Sequence, residues 1–115
     1  MMQQEQLGNT YLEMAKILSK NKEQGLNQAI MYQGKAVEAF LGLEKYADTD
    51  YLAQILMSLS EFQDKQDLIE DALSSLRLVE KIYKNNYSEV HAKTCKVKRN
   101  ISLLYLKSDQ NEAAL

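Results

Sequence analysis

Apolar residues recur along the chain at three- and four-residue spacing, and each such stretch closes in a short polar break. The first runs from about Gln3 to Ser19, with Leu7, Tyr11, Met14, Ala15 and Leu18 on one side, and ends in Lys20–Gly25. A second, from about Leu26 to Tyr46, aligns Ala29, Ile30, Ala36, Val37, Phe40 and Leu43. Ala47-Asp48-Thr49-Asp50 interrupts it and offers oxygen-bearing caps for the next start. The third, about Asp50 to Gln63, holds Leu52, Ile55, Leu56, Leu59 and Phe62, and the turn Asp64-Lys65-Gln66-Asp67 follows. The fourth, about Leu68 to Lys84, holds Ile69, Ala72, Leu73, Leu76, Val79 and Tyr83. After Asn85-Asn86-Tyr87-Ser88, with Ser88 as the expected cap, a fifth spans about Glu89 to Lys107 on Val90, Thr94, Val97, Ile101, Leu104 and Tyr105. Ser108-Asp109-Gln110 reads as a last break, opening a sixth helix from Asn111 to Leu115.

Short loops force sequential helices to pack antiparallel. The pairs also repeat. Small residues early in each second helix, Ala29, Ala72 and Ala114, stand 43 and 42 apart. Large apolar residues closing each first helix, Leu18, Phe62 and Tyr105, stand 44 and 43 apart. Periods of this length mark helical-repeat arrays. The expected fold is therefore all-α, a single domain of antiparallel helix pairs with repeats at about 5–46, 50–85 and 88–115, the last incomplete.

Composition agrees with this class. Of 115 residues, 45% are hydrophobic and 26% charged, none is proline and four are glycine, which favours long unbroken helices. One cysteine excludes an internal disulfide framework. No apolar run reaches the length of a membrane span, and the start, MMQQEQLGNTY, lacks a signal-peptide pattern, so a cytoplasmic protein is expected. The net charge of −2 hides a split: residues 1–76 hold six lysines against twelve acids (net −6), and residues 77–115 hold eight bases against four acids (net +4).

The final segment, Asn100-Ile101-Ser102-Leu103-Leu104-Tyr105-Leu106-Lys107-Ser108-Asp109-Gln110-Asn111-Glu112-Ala113-Ala114-Leu115, resembles the tetratricopeptide repeat family. It has an apolar–small–x–x–tyrosine run, a polar turn, then alanine nine positions after the tyrosine. Met14-Ala15 with Leu18 and Ala29, and Leu59 with Phe62 and Ala72, fit the same pattern with insertions, most like the ~42-residue variety of kinesin light chains. No repeat carries the family's closing proline. The resemblance implies a short right-handed solenoid whose first helices line a concave groove. In that register Asn9, Leu12, Lys16, Ser19 and Lys20, then Leu56, Ser60 and Gln63, then Lys96, Arg99, Leu103, Leu106 and Lys107 would face inward. Such a groove combines cations with leucines and suits a partner segment that is both acidic and apolar. The carboxylate clamp of one family subgroup is not expected, because Cys95 stands where its lysine would precede Arg99.

Catalytic readings find little to stand on. His91 and Cys95 are the sole histidine and cysteine, and no glycine-rich loop accompanies them. Both are expected to be structural, the cysteine packing as a small hydrophobe. They do not make a zinc site, and Asp64, Asp67, Glu70 and Asp71 read as a solvated acidic turn rather than a calcium loop. The basic run Lys93, Lys96, Lys98 and Arg99 lacks the interleaved aromatics of a nucleic-acid surface, leaving a solvated face or a groove wall. No enzyme, cofactor, metal, nucleic-acid or membrane activity is expected. The favoured expectation is a non-catalytic adaptor or scaffold; the alternative is a structural subunit buried permanently in a larger cytoskeletal or ciliary assembly. Leu103 and Leu106 on a second side of helix five, with the apolar start of helix six, lead to the expectation that the C-terminal face packs on further repeats or another chain.

Overall fold

The computed structural model describes residues 4–20 and 25–114, with 110–114 described as helical backbone. Five helices and no strand occupy the described residues: α1 (Gln4–Ser19), α2 (Gly25–Leu41), α3 (Asp50–Lys65), α4 (Ile69–Asn86) and α5 (Ala92–Ala114). The expected start at Gln3 and most of the Lys20–Gly25 turn lie outside those residues. No helix among them is long and apolar enough to cross a membrane.

Each helix packs chiefly on its neighbour in sequence, so the molecule is a flat slab of about 51 × 38 × 18 Å. Pairs are antiparallel. Gln4 at the start of α1 donates to the Ala39 carbonyl near the end of α2 (2.7 Å), and the Tyr46 hydroxyl beyond α2 donates to Glu5 (2.6 Å). The core runs through the middle of the stack, where Phe40, Leu52, Leu56, Leu73, Val79 and Val97 are fully buried. Phe40 is the keystone at the α1–α2–α3 junction. The rings of Tyr46 and Tyr51 meet it edge-on at 4.8 and 5.4 Å, and Gly8 of α1 also lies against it.

Buried polar groups tie the layers together. Gln33 of α2 donates to the Ile55 carbonyl of α3 (3.1 Å), and Ser75 of α4 donates to Gln63 of α3 (2.8 Å). The turns follow local chemistry. Thr49 caps α3, its hydroxyl accepting the Leu52 N–H (3.2 Å) and donating to the Tyr46 carbonyl (2.6 Å). At the other end Asp67 takes φ +59°, and Leu68 N–H returns to the Gln63 carbonyl (2.8 Å), a Schellman closure with aspartate where glycine is commonest.

Four sequence expectations are corrected. Helix α2 stops at Leu41, because Gly42 follows and Leu43–Ala47 fold into turns that return Tyr46 to Phe40. Helix α5 starts at Ala92, not Glu89. His91, rather than Ser88, holds its first amides: the carbonyl accepts Cys95 N–H (3.0 Å) and the ring Nδ1 accepts Lys93 N–H (3.1 Å). Val90 and Tyr105, assigned to the core stripe, are exposed, Val90 because it lies ahead of the helix (85%) and Tyr105 because it lies off the buried face of α5 (44%). Finally, the break at Ser108–Gln110 is absent, and α5 continues to Ala114 with no sixth helix. Polar residues alone do not end a helix, and neither glycine nor proline occurs in that stretch.

The glycines predict opposite effects of one substitution. A Cβ on Gly8 would stand 2.8 Å from the buried Phe40 ring, whereas one on Gly34 meets nothing within 4 Å. Urea unfolding should show Gly34→Ala stabilised by about 0.5–1 kcal/mol and Gly8→Ala destabilised by about 1–3 kcal/mol. Equal effects at the two sites would contradict this packing.

Candidate interaction surface

The first helices α1, α3 and α5 lie side by side and parallel. Tyr51 donates to Asn9 (3.2 Å), 42 residues earlier. Lys93 donates to Asp50 (2.8 Å) and Lys107 to Asp64 (2.7 Å), each pair 43 residues apart. Two contacts at one constant separation, nearly four turns from each other, fix α5 parallel to α3. The burial pattern repeats too: Leu52, Ile55, Leu59 and Phe62 of α3 are matched 42 residues later by Thr94, Val97, Ile101 and Leu104 of α5.

Two clefts open between these helices. Leu12, Lys16 and Ser19 of α1 face Tyr51, Gln54, Ser58 and Phe62 of α3 across about 300 Å³, over a floor of Gln33 and Ile55. Ser60, Glu61 and Asp64 of α3 face Asn100, Leu103 and Lys107 of α5 across about 310 Å³, over Leu76 and Leu104. Each has apolar residues at its base and mixed polar walls.

Electrostatics account for the charge split of the sequence. Lys107 sits between Asp64 (2.7 Å) and Asp67 (3.4 Å), which hold its ammonium group above its ordinary pKa, Asp64 most strongly. At the far end Asp50 accepts from both Lys93 and the Tyr87 hydroxyl, and these two bonds, in that order, hold its carboxyl below the ordinary range. Lys93 is raised in return, chiefly by Asp50, and lies over the rings of Tyr87 and Tyr83 (5.1 and 5.8 Å). The basic helix α5 is thus clipped at two points onto the acidic edge of α3.

The expected groove residues divide accordingly. Leu12 and Lys16 line the first cleft, Ser60, Leu103 and Lys107 the second, and Asn9 joins α1 to α3 at the edge of the first. Lys20 is exposed beyond the end of α1, and Lys96 and Arg99 are exposed outside both clefts. Leu56 is a correction: it is 2% exposed and belongs to the core. The side of α3 assigned inward, Leu56, Ser60 and Gln63, is largely buried, and Gln63 bonds to Ser75 of α4. The expected groove of cations and leucines also carries carboxylates, since Glu61 and Asp64 stand on the wall that holds Lys107. Tyr51, Gln54, Ser58, Glu61, Asp64 and Asn100 were missed. The opposite charges of Asp50/Lys93 and Asp64/Lys107 at one period were the signal that would have found the α3–α5 register.

Cys95 is exposed, not packed as a small hydrophobe, and its sulfur lies 3.9 Å from the Glu89 carbonyl. His91 has its Nδ1 on the Lys93 amide and its ring stacked on Tyr87 at 4.3 Å. Among the described residues no three histidine, cysteine or carboxylate side chains cluster so as to share a metal ion. No family model, curated protein or solved structure matches the chain.

The Asp50 clip predicts an acid-sensitive stack. A carboxylate depressed in the folded state contributes stability that is complete above its unfolded pKa, about 3.9, and is lost as pH falls through the lower folded value. Glu5, lowered first by the Tyr46 hydroxyl, acts in the same direction. Thermal unfolding should show a midpoint that falls on acidification below about pH 4. Asp50→Asn should have a lower midpoint at neutral pH and a shallower acid loss; an unchanged acid slope would contradict the clip.

Proposed function

We propose that this chain is a non-catalytic protein-interaction module, a short tetratricopeptide-like array that holds a segment of a partner protein across its two clefts and so acts as an adaptor or scaffold. The observation that carries the reading is the repetition of the clefts. Leu12, Lys16 and Ser19 meet α3 much as Ser60, Glu61 and Asp64 meet α5, with one residue of a second helix, Gln33 or Leu76, under each. Stacked helix pairs produce extended surfaces of this kind, and the apolar floors supply affinity while the polar walls select register. The partner segment in this reading places apolar side chains over Ile55 and Leu104 and an acidic group opposite Lys16, whose ammonium has no carboxylate partner among the described residues. A second reading, a subunit held permanently inside a larger assembly, is favoured by apolar side chains exposed on both outer helices: Ile17 is 66% and Leu106 56% exposed.

Selection of random twelve-residue peptides on the immobilised chain separates the two. The adaptor reading expects enriched peptides whose binding falls at least tenfold, about 1.4 kcal/mol, in both Ser58→Arg and Asn100→Arg, each of which fills one cleft. Circular dichroism should show both variants folded. Failure to enrich any peptide, or binding untouched by either substitution, overturns the adaptor reading in favour of the assembled subunit.

A further inference from the structure

Helix α5 has a side that the core does not use and that shares only Leu103 with a cleft. Thr94, Val97, Ile101 and Leu104 form its inner stripe, and Lys93 and Lys107 turn towards α3. On the far side stand Lys96, Arg99, Leu103 and Leu106, spaced three, four, three, the seam along which one helix packs on another. Leu103 and Leu106 are 54% and 56% exposed, and Leu106 lines neither cleft.

The charges on this edge are unmatched. Lys93 and Lys107 have carboxylate partners, but among the described residues none pairs with Lys96 or Arg99. These cations sit one to two turns before the leucines, so the edge is basic at one end and apolar at the other.

We propose that this free edge of α5 docks an amphipathic helix from a partner protein. That helix sets apolar side chains against Leu103 and Leu106 and carboxylates, about 10 Å along its axis, against Lys96 and Arg99. Anchors at i, i+3, i+4 and i+7 are the usual grammar of helix-on-helix recognition, and opposite charge sets its direction. A second copy of this chain fits poorly. It would bring another α5 carrying Lys93, Lys96, Lys98, Arg99 and Lys107 against only two acids of the same helix, Asp109 and Glu112. Of the two clefts, the edge shares a residue only with the second, through Leu103.

The test uses a designed 21-residue helix with leucines at alternating three- and four-residue spacing and glutamates flanking them, beside a version with lysine for every glutamate. Fluorescence anisotropy should show the glutamate peptide binding in a salt-sensitive manner and the lysine peptide at least tenfold more weakly. Leu106→Glu and Arg99→Glu should each cost tenfold or more, and Ser58→Arg in the first cleft should cost nothing. Equal binding of the two peptides overturns the proposal. So does loss through Ser58→Arg but not Leu106→Glu. A dimer in sedimentation that Leu106→Glu dissociates also overturns it, by making a second copy the occupant.

Discussion

Everything in this molecule depends on α3 being covered from both flanks. Seven of its sixteen residues are buried, and they do not form the single stripe of a surface helix. Burial of a leucine- or isoleucine-sized side chain contributes roughly 1.5–3 kcal/mol, so leaving either flank of α3 in water would remove much of a stability that in a domain of this size is only about 5–15 kcal/mol. Helix α2 reaches one flank through Gln33 and Phe40, and α4 reaches the other through Ser75 and Tyr83. The linear order of the helices follows, and so does the alignment of α1, α3 and α5 that opens the two clefts.

The ion pairs between first helices have a different task. Exposed pairs contribute little, typically 0–1 kcal/mol, and those of Lys93 and Lys107 are partly exposed. Their value lies in register. Placed near the two ends of α3, they hold α5 along it at one separation, and a slip by three residues would take Lys93 from Asp50 to Ala47 or Ala53. The tyrosines of the α3–α4–α5 corner reinforce this: Tyr87 reaches Asp50, stacks on His91 and underlies Lys93.

Much of the fold was legible because helical periodicity survives translation into burial. Ala29, Ala36, Val37 and Phe40, or Ile69, Ala72, Leu73, Leu76 and Val79, were assigned to the core from spacing alone and are buried. The site was less legible, for a related reason. A helix that is apolar on two sides does not say which side meets which neighbour, so Leu56, Ser60 and Gln63 were turned inward when they are largely covered. Helix ends followed the same division. Thr49 is a cap by residue type, whereas His91, which caps α5, is not a usual cap residue and is held by its stack on Tyr87. The Ser108–Gln110 stretch has turn-like composition without a residue that compels a turn.

Native-state hydrogen exchange, read residue by residue, tests the covered-α3 account most directly, because exchange free energies report how each element opens. The account predicts the slowest amides in α3 and α4, around Leu56, Leu73, Leu76 and Val79, close to the global unfolding free energy. Amides of α1 and α5 should open earlier, each losing one neighbour. Destabilising α2 with Val37→Ala should accelerate α3 along with it. Amides of α3 that exchange faster than those of α5, or that ignore the change in α2, would contradict the claim that α3 is the element on which the stack is built.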